Sequence, residues 1–189
     1  MAINLSDKLT ADYSENYIMS IRLRSGGLSF SAYSPSVNES FFYRDIEFDR
    51  TKPYVSSLKE CFFENDFLTW FYKQVNVVCV TPQYTLVPKE VFQEKQKVEL
   101  LAFTFSSPEG RCLSNELKDE PAELVFGVDE EVYEFCSRSL VNPRLSIMSV
   151  RCFRCGRSRA VPACLASYMS CCIAGEWMWR AMHRGTCFS

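Results

Sequence analysis

The chemistry this sequence can be asked to do is concentrated in a few places. The turn Arg24-Ser25-Gly26-Gly27-Leu28-Ser29 is the first, because consecutive backbone N–H groups in such a turn can bind an anion. Ser25, Gly26 and Gly27 are the candidate anion contacts, although a plain hairpin turn explains the same residues and is favoured. Arg22 and Arg24 beside it read as a solvated strand face rather than a phosphate clamp. Asp45 and Glu47 fall on one face of an extended segment and have the types of a general acid/base pair. That face is expected to be solvated, with no third partner. Cys152-x-x-Cys155 is half of a zinc knuckle, with Cys164, Cys171, Cys172 and His183 the residues left to complete it. A tetrahedral site usually draws its four ligands from paired loops. Here Cys171 and Cys172 are adjacent and His183 is the single histidine, so no metal site is assigned. The missing histidine also removes Cys–His nucleophilic chemistry from the front of the chain. Cys61, Cys79 and Cys136 sit in apolar patterns and are expected to be buried, inert thiols. Phe62, Phe63, Phe67, Trp70 and Phe71 are expected in the core rather than on a ligand platform. No catalytic residue is assigned.

The elements that would position these residues follow from periodicity. Tyr17, Met19, Ile21 and Leu23 alternate with Ile18, Ser20, Arg22 and Arg24, which predicts a half-buried strand. Ser25-Gly26-Gly27 supplies a turn tolerant of positive φ, and Leu28, Phe30 and Ala32 alternate with Ser29, Ser31 and Tyr33 on the return strand. A third strand carries Phe42, Ile46 and Phe48 on one face and Tyr43, Asp45 and Glu47 on the other. The period then changes. Tyr54, Leu58, Cys61 and Phe62 form a helical stripe behind Pro53. Val75–Val80 is an apolar, β-branched run that predicts a buried strand lying centrally beside the first. Pro88 fits the first turn of a short helix carrying Val91 and Phe92, and Val98, Leu101 and Ala102 continue a helical stripe. Strands are expected near Cys112–Leu117 and Ala122–Val128. Asp129 caps a last helix, with Glu130 and Glu131 in its first turn and Val132, Cys136 and Leu140 as its apolar stripe. Three antiparallel strands followed by alternating helices and strands make a mixed α/β domain.

Composition is uneven along the 189 residues. Up to residue 143 there are 22 acidic residues against 14 basic ones, whereas residues 144–189 hold seven arginines and a single acid, Glu176. All eight lysines lie at or before Lys118, and six of the ten cysteines lie in the tail. Besides a zinc module or a disulfide-rich segment, such a break has a third explanation: the tail is translated out of frame. Taking the last base of each codon with the first two of the next forces Trp177–Met178 to Asp, Met178–Trp179 to Val, Met182–His183 to Ala and Cys171–Cys172 to Leu. Permitted codons elsewhere give lysines, ordinary cysteine use and two β-patterned runs around a turn, starting near Val150. The expected organisation is therefore a domain at 1–143 and an out-of-frame tail at 144–189, which leaves the domain truncated. The overall formal charge of -2 provides no basic field for nucleic acid. No apolar run approaches the roughly 20 residues of a membrane span. The first residues lack a secretion signal, so a cytoplasmic location is expected.

Tyr17–Tyr33, the stretch Thr81-Pro82…Thr85-Leu86-Val87-Pro88…Phe92, and Phe135…Asn142-Pro143-Arg144 resemble an uncharacterised Bacteroidetes family, domain of unknown function 3822. That family is similar in fold to the actin-like ATPases. The resemblance implies the first half of an actin-like, ribonuclease-H-like domain, and the shifted tail would open a duplicated second half. It provides a fold rather than a reaction. Actin-like ATPases hold Mg-ATP with an acidic residue on the first strand and a glycine-rich hairpin turn. Here Tyr17–Arg24 has no carboxylate for magnesium. The expectation is a non-catalytic, actin-like scaffold working through a protein partner or self-association, without cofactor. The alternative is a nucleotide-binding ATPase with degenerate phosphate loops, taking ATP with Mg at Ser25, Gly26 and Gly27.

Overall fold

The computed structural model describes residues 9–37, 40–106, 108, 110–117 and 120–147. The opening alternation builds β1 (Ile18–Arg24) and β2 (Gly27–Tyr33), and β3 (Phe42–Glu47) completes an antiparallel meander. Ile21 lies opposite Phe30, and Phe30 opposite Arg44. Behind Pro53 comes α1 (Tyr54–Glu64), which buries Leu58, Cys61 and Phe62. The apolar run forms β4 (Gln74–Cys79), parallel to β1 with Val77 beside Ile21. There follow β5 (Tyr84–Pro88), α2 (Lys97–Thr104), β6 (Arg111–Leu117), β7 (Ala122–Val128), α3 (Glu130–Ser139) and β8 (Arg144–Ile147). The main sheet has the order β3-β2-β1-β4-β8, and a three-stranded sheet has the order β5-β7-β6. The fold is mixed α/β, and β4 lies centrally beside β1 as its composition predicts.

One face of the main sheet carries the core. Met19, Ile21, Leu28, Phe30, Val75 and Val77 meet Leu58 and Phe62 of α1 and Val132 and Cys136 of α3. Fully burying each large apolar side chain contributes about 1.5–3 kcal/mol, so this layer dominates the fold's stability. Phe62 and Phe135 join the two helices edge to face, with ring centres 5.0 Å apart. The smaller sheet is covered on one side by α2 through Leu101, Val87, Cys112 and Val125. On its other side Leu117, Leu124 and Phe126 join the main core. Asn115 of β6 donates to the Leu145 carbonyl and accepts from the Ile147 N–H, both at 3.2 Å. One side-chain amide thus satisfies backbone groups on the outer edge of β8, where the main sheet would otherwise end in open donors and acceptors.

Several expectations need correction. β1 and β2 are buried on both faces, with Ser20, Arg22, Ser29 and Ser31 each under 5% exposed, so the polar face is not a solvated one. Pro88 ends a strand instead of opening a helix. It sits at the last rung of an edge strand, where a missing N–H costs no ladder bond. Val91 then lies in a turn and is 59% exposed. In the stripe of α2 only Leu101 is fully buried, and Val98 is 53% exposed. The aromatic group divides: Phe62 and Phe67 are buried, but Phe63 is 91% and Phe71 67% exposed, because neighbouring helical or extended residues point different ways. The turn residues Ser25 and Gly26 make no use of positive φ. β8 was not expected, and it adds residues 144–147 to the sheet on the far side of the boundary placed at 143. The proposed tail beyond Ile147, with Cys152, Cys155, Cys164, Cys171, Cys172 and His183, lies outside the described residues.

Candidate functional site

Parallel strands β1 and β4 end side by side, and ligands of open α/β sheets collect at such carboxyl ends. The β1–β2 hairpin turn, the start of α1, Val80-Thr81-Pro82 after β4 and the start of α3 all converge there. The alternation of β1 sends Leu23 to the helix side of the sheet and Arg22 and Arg24 to the other. Two cavities result, one on each side of the turn, and both touch Arg24, Ser25 and Val80.

The larger cavity, about 600 Å³, is on the helix side. Leu23, Cys79, Val128 and Val132 give it an apolar floor, while Arg24, Lys59, Asp129 and Glu131 put charges of both signs around it. Its volume falls within the roughly 300–1,000 Å³ of small-molecule sites. Pro53–Ser56 lines one wall, at the start of α1, where no side chain caps the helix. At α3 the opposite holds: the Asp129 carboxylate accepts from Val132 N at 3.0 Å. Tyr54 reaches across and donates to the Gly27 carbonyl at 3.3 Å, fixing α1 against the hairpin. Burial raises the Tyr54 phenol above its ordinary pKa and pushes the Cys79 thiol up to about 12. Both are neutral near pH 7, and neither is an activated nucleophile.

The smaller cavity, about 290 Å³, lies on the polar side and is lined by Arg22, Arg24, Ser25, Gly26, Glu47, Phe48, Arg50 and Val80. Arg22 is 3% exposed. Arg24 donates to Asp45 at 2.6 Å, and its buried Nε has no hydrogen-bond acceptor. Phe48 N donates to the Gly26 carbonyl at 2.9 Å, which holds the chain after β3 against the turn.

Of the residues singled out in the sequence, Ser25 and Gly26 line these cavities and Gly27 does not. Gly27 is needed for a different reason: a Cβ there would stand 2.1 Å from the Ile46 carbonyl oxygen. Asp45 and Glu47 are not brought together as an acid/base pair, since Asp45 is tied to Arg24 and Glu47 lines the smaller cavity. Cys61, Cys79 and Cys136 are buried free thiols with pKa values raised by burial, as their patterns predict. Among the described residues no group of three or more His, Cys, Asp or Glu is placed to hold a metal ion, and no helix is long and apolar enough to cross a membrane. Arg50, Lys59 and Glu131 were not foreseen as site residues, because they come from a loop and two helices whose convergence has no local signal. Thr81-Pro82 did have one, since it directly follows a central strand.

Residues 6–149 match the family described as Protein of unknown function (DUF3822). A crystal structure from Bacteroides thetaiotaomicron, of a protein with actin-like ATPase fold and unknown function, superposes with a TM-score of 0.72 at 29% identity. The match covers 83% of this chain and 61% of that one, so the chain spans about three fifths of the length of that protein. The cytoplasmic domain of EpsL, an inner membrane component of the type II secretion system of Vibrio cholerae, aligns with 15% identity over 68% of this chain and 55% of that one. Its TM-score of 0.38 is too low to carry an argument. No curated protein matches.

Proposed function

The chain belongs to the DUF3822 family, and from that premise we propose that it is an actin-like module that acts by binding, through a protein partner or self-association, rather than by turning over a nucleotide. The observation that carries this reading is the charge at the carboxyl end of β1. Arg22, Arg24 and Arg50 gather where a magnesium–phosphate site would need carboxylates. Guanidinium groups repel a divalent cation and attract the phosphate oxygens directly. The rings of Phe63 and Phe103, 91% and 95% exposed, are the groups that would gain most from a partner's surface. Acidic residues outnumber basic ones among residues 1–143, which supports a partner other than nucleic acid. The free thiols Cys61, Cys79, Cys112 and Cys136 support a reducing, cytoplasmic compartment.

One observation favours the second reading, a nucleotide-binding module: the larger cavity has the size for a nucleotide and opens at the start of α1. Calorimetry and phosphate-release assays with ATP, with and without magnesium, separate the two. No phosphate release above background is expected, and magnesium should not strengthen any ATP binding. Magnesium-dependent hydrolysis that disappears in Asp129→Asn would replace the first reading with the second.

A further inference from the structure

We propose that β5 is the seam of a two-fold dimer, in which the strand pairs antiparallel with β5 of a second copy of this chain about an axis at Thr85. The proposal rests on the binding reading given above and names its partner and its surface. Among the described residues the strands that end a sheet are β3, β8, β5 and β6. An open edge is a template for another strand, and charged side chains are a usual protection. β3 carries Arg44, Asp45 and Glu47, and β6 carries Arg111 and Glu116. β8 carries Arg144 and is engaged by Asn115. β5 is Tyr84-Thr85-Leu86-Val87-Pro88 and carries no charge. Its outward hydrogen-bonding groups follow from its pairing. Gly127 N donates to the Gln83 carbonyl at 3.0 Å, and Lys89 N to the Pro121 carbonyl at 2.8 Å. Both pairs continue the register that sets Tyr84 opposite Phe126. Odd-numbered residues of β5 therefore bond to β7, and the N–H and C=O groups of Tyr84 and Leu86 point away from it. Their side chains are 44% and 54% exposed, on the face opposite Val87 and α2.

What selects a second copy as the occupant is the symmetry of the segment. Pro82 and Pro88 stand three residues either side of Thr85, and Tyr84 and Leu86 stand one residue either side. About a two-fold axis at Thr85, Tyr84 of each copy meets Leu86 of the other. The outward N–H of each then donates to the carbonyl of the other, and its own carbonyl accepts in return. Each proline falls opposite the other copy's proline, so the ladder ends where neither chain has an N–H to give. A patch that complements itself in this way is what an isologous interface requires. The carboxyl end of α2 stands over the centre of the strand, with the hydroxyls of Thr104 and Thr85 3.3 Å apart. Phe103 beside it is 95% exposed and gains cover from the second copy.

Sedimentation equilibrium of the full chain tests this, and a monomer–dimer equilibrium is expected. Leu86→Lys, at a position 54% exposed, should weaken association about tenfold or more, because the axis applies the change twice. Tyr84→Glu should do the same. An equimolar mixture of the two variants should restore dimers, since the register sets the new charges opposite each other and keeps the other Tyr84–Leu86 pair. Mixing would not repair a folding defect in either chain. Phe63→Ser, on α1 and 91% exposed, should leave the dimer unchanged. A monomeric unsubstituted chain, a dimer insensitive to Leu86→Lys, a dimer lost in Phe63→Ser, or mixing without recovery overturns the proposal. A monomeric chain would leave the binding reading standing, with another protein as partner. Magnesium-dependent ATP hydrolysis by a dimer that Leu86→Lys dissociates would overturn that reading and uphold this one.

Discussion

Asn115 carries a disproportionate share of the joint between the two sheets, because its single amide serves two backbone groups of β8. Removing it leaves a carbonyl and an N–H to be desolvated without partners, at about 1–3 kcal/mol. Asn115→Leu should therefore lower the unfolding free energy by that amount in urea titration, and amide exchange at Ile147 should accelerate. A loss under about 0.5 kcal/mol would mean that water replaces the amide at no cost. The buried thiols make a second prediction. An unfolded chain releases thiol protons from about pH 8.5, whereas burial holds Cys61 up to about 11 and Cys79 and Cys136 up to about 12. Between those limits the folded state binds more protons, so stability is complete below about pH 8.5 and declines as pH rises. Each thiol adds up to about 1.4 kcal/mol per pH unit to that slope. The double variant Cys79→Ala, Cys136→Ala should start less stable near pH 7 and decline more shallowly from pH 8.5 to 10. An unchanged slope would assign the alkaline loss to Cys61 and to Tyr54 and Tyr72, whose phenols burial also raises. At this scale the sequence was legible where type alone decides burial, as for these cysteines. It misled at Arg22, because period-2 alternation reports which residues share a face and cannot report whether a second layer closes over that face.

Elements were most legible where period, cap and breaker agree. Asp129 with its apolar stripe placed α3, Pro53 placed the start of α1, and the uninterrupted run at Val75–Val80 placed a central strand beside the first. β5 was missed because Pro88 is compatible with both a helix start and the end of an edge strand, and only the pairing with Ala122 decides between them. The turn region joins these elements and contains two glycines with opposite demands. Gly27→Ala drives a methyl group into the Ile46 carbonyl at 2.1 Å, and backbone must move to relieve it. That change should separate β2 from β3, costing on the order of 3 kcal/mol or more, as overpacking in a well-packed core does. Gly26→Ala meets open space and should be neutral or slightly stabilising, since it only reduces the freedom of the unfolded chain. Thermal unfolding of the pair provides the check. Equal effects would mean that the close approach of β2 and β3 is relieved at little cost.

At the scale of the whole molecule, fold and family agree over a stretch that ends where the composition changes. The main sheet takes in Arg144–Ile147, the family match stops at residue 149, and every lysine lies before that point. We therefore propose that the reading frame changes near residue 149, where the family match ends, a few codons later than the composition boundary at 143. The two sides obey different rules. Before it, charge, periodicity and capping fit the elements they specify, the consistency expected of a selected sequence. After it, arginine, cysteine and tryptophan accumulate without a periodic apolar face. Sequencing the gene across codons 147–152 should reveal one inserted or deleted base. Its repair should give a chain that continues the alternation and spans more than the present 61% of the Bacteroides protein. Proteomics of the source organism gives an independent result, because Ala160–Arg180 would be a single tryptic peptide. Its absence beside abundant peptides from residues 1–147 is the expected outcome. Its detection in native protein would show that the tail is made in this frame, and the Cys152, Cys155, Cys171, Cys172 and His183 set would then be the first place to test for zinc.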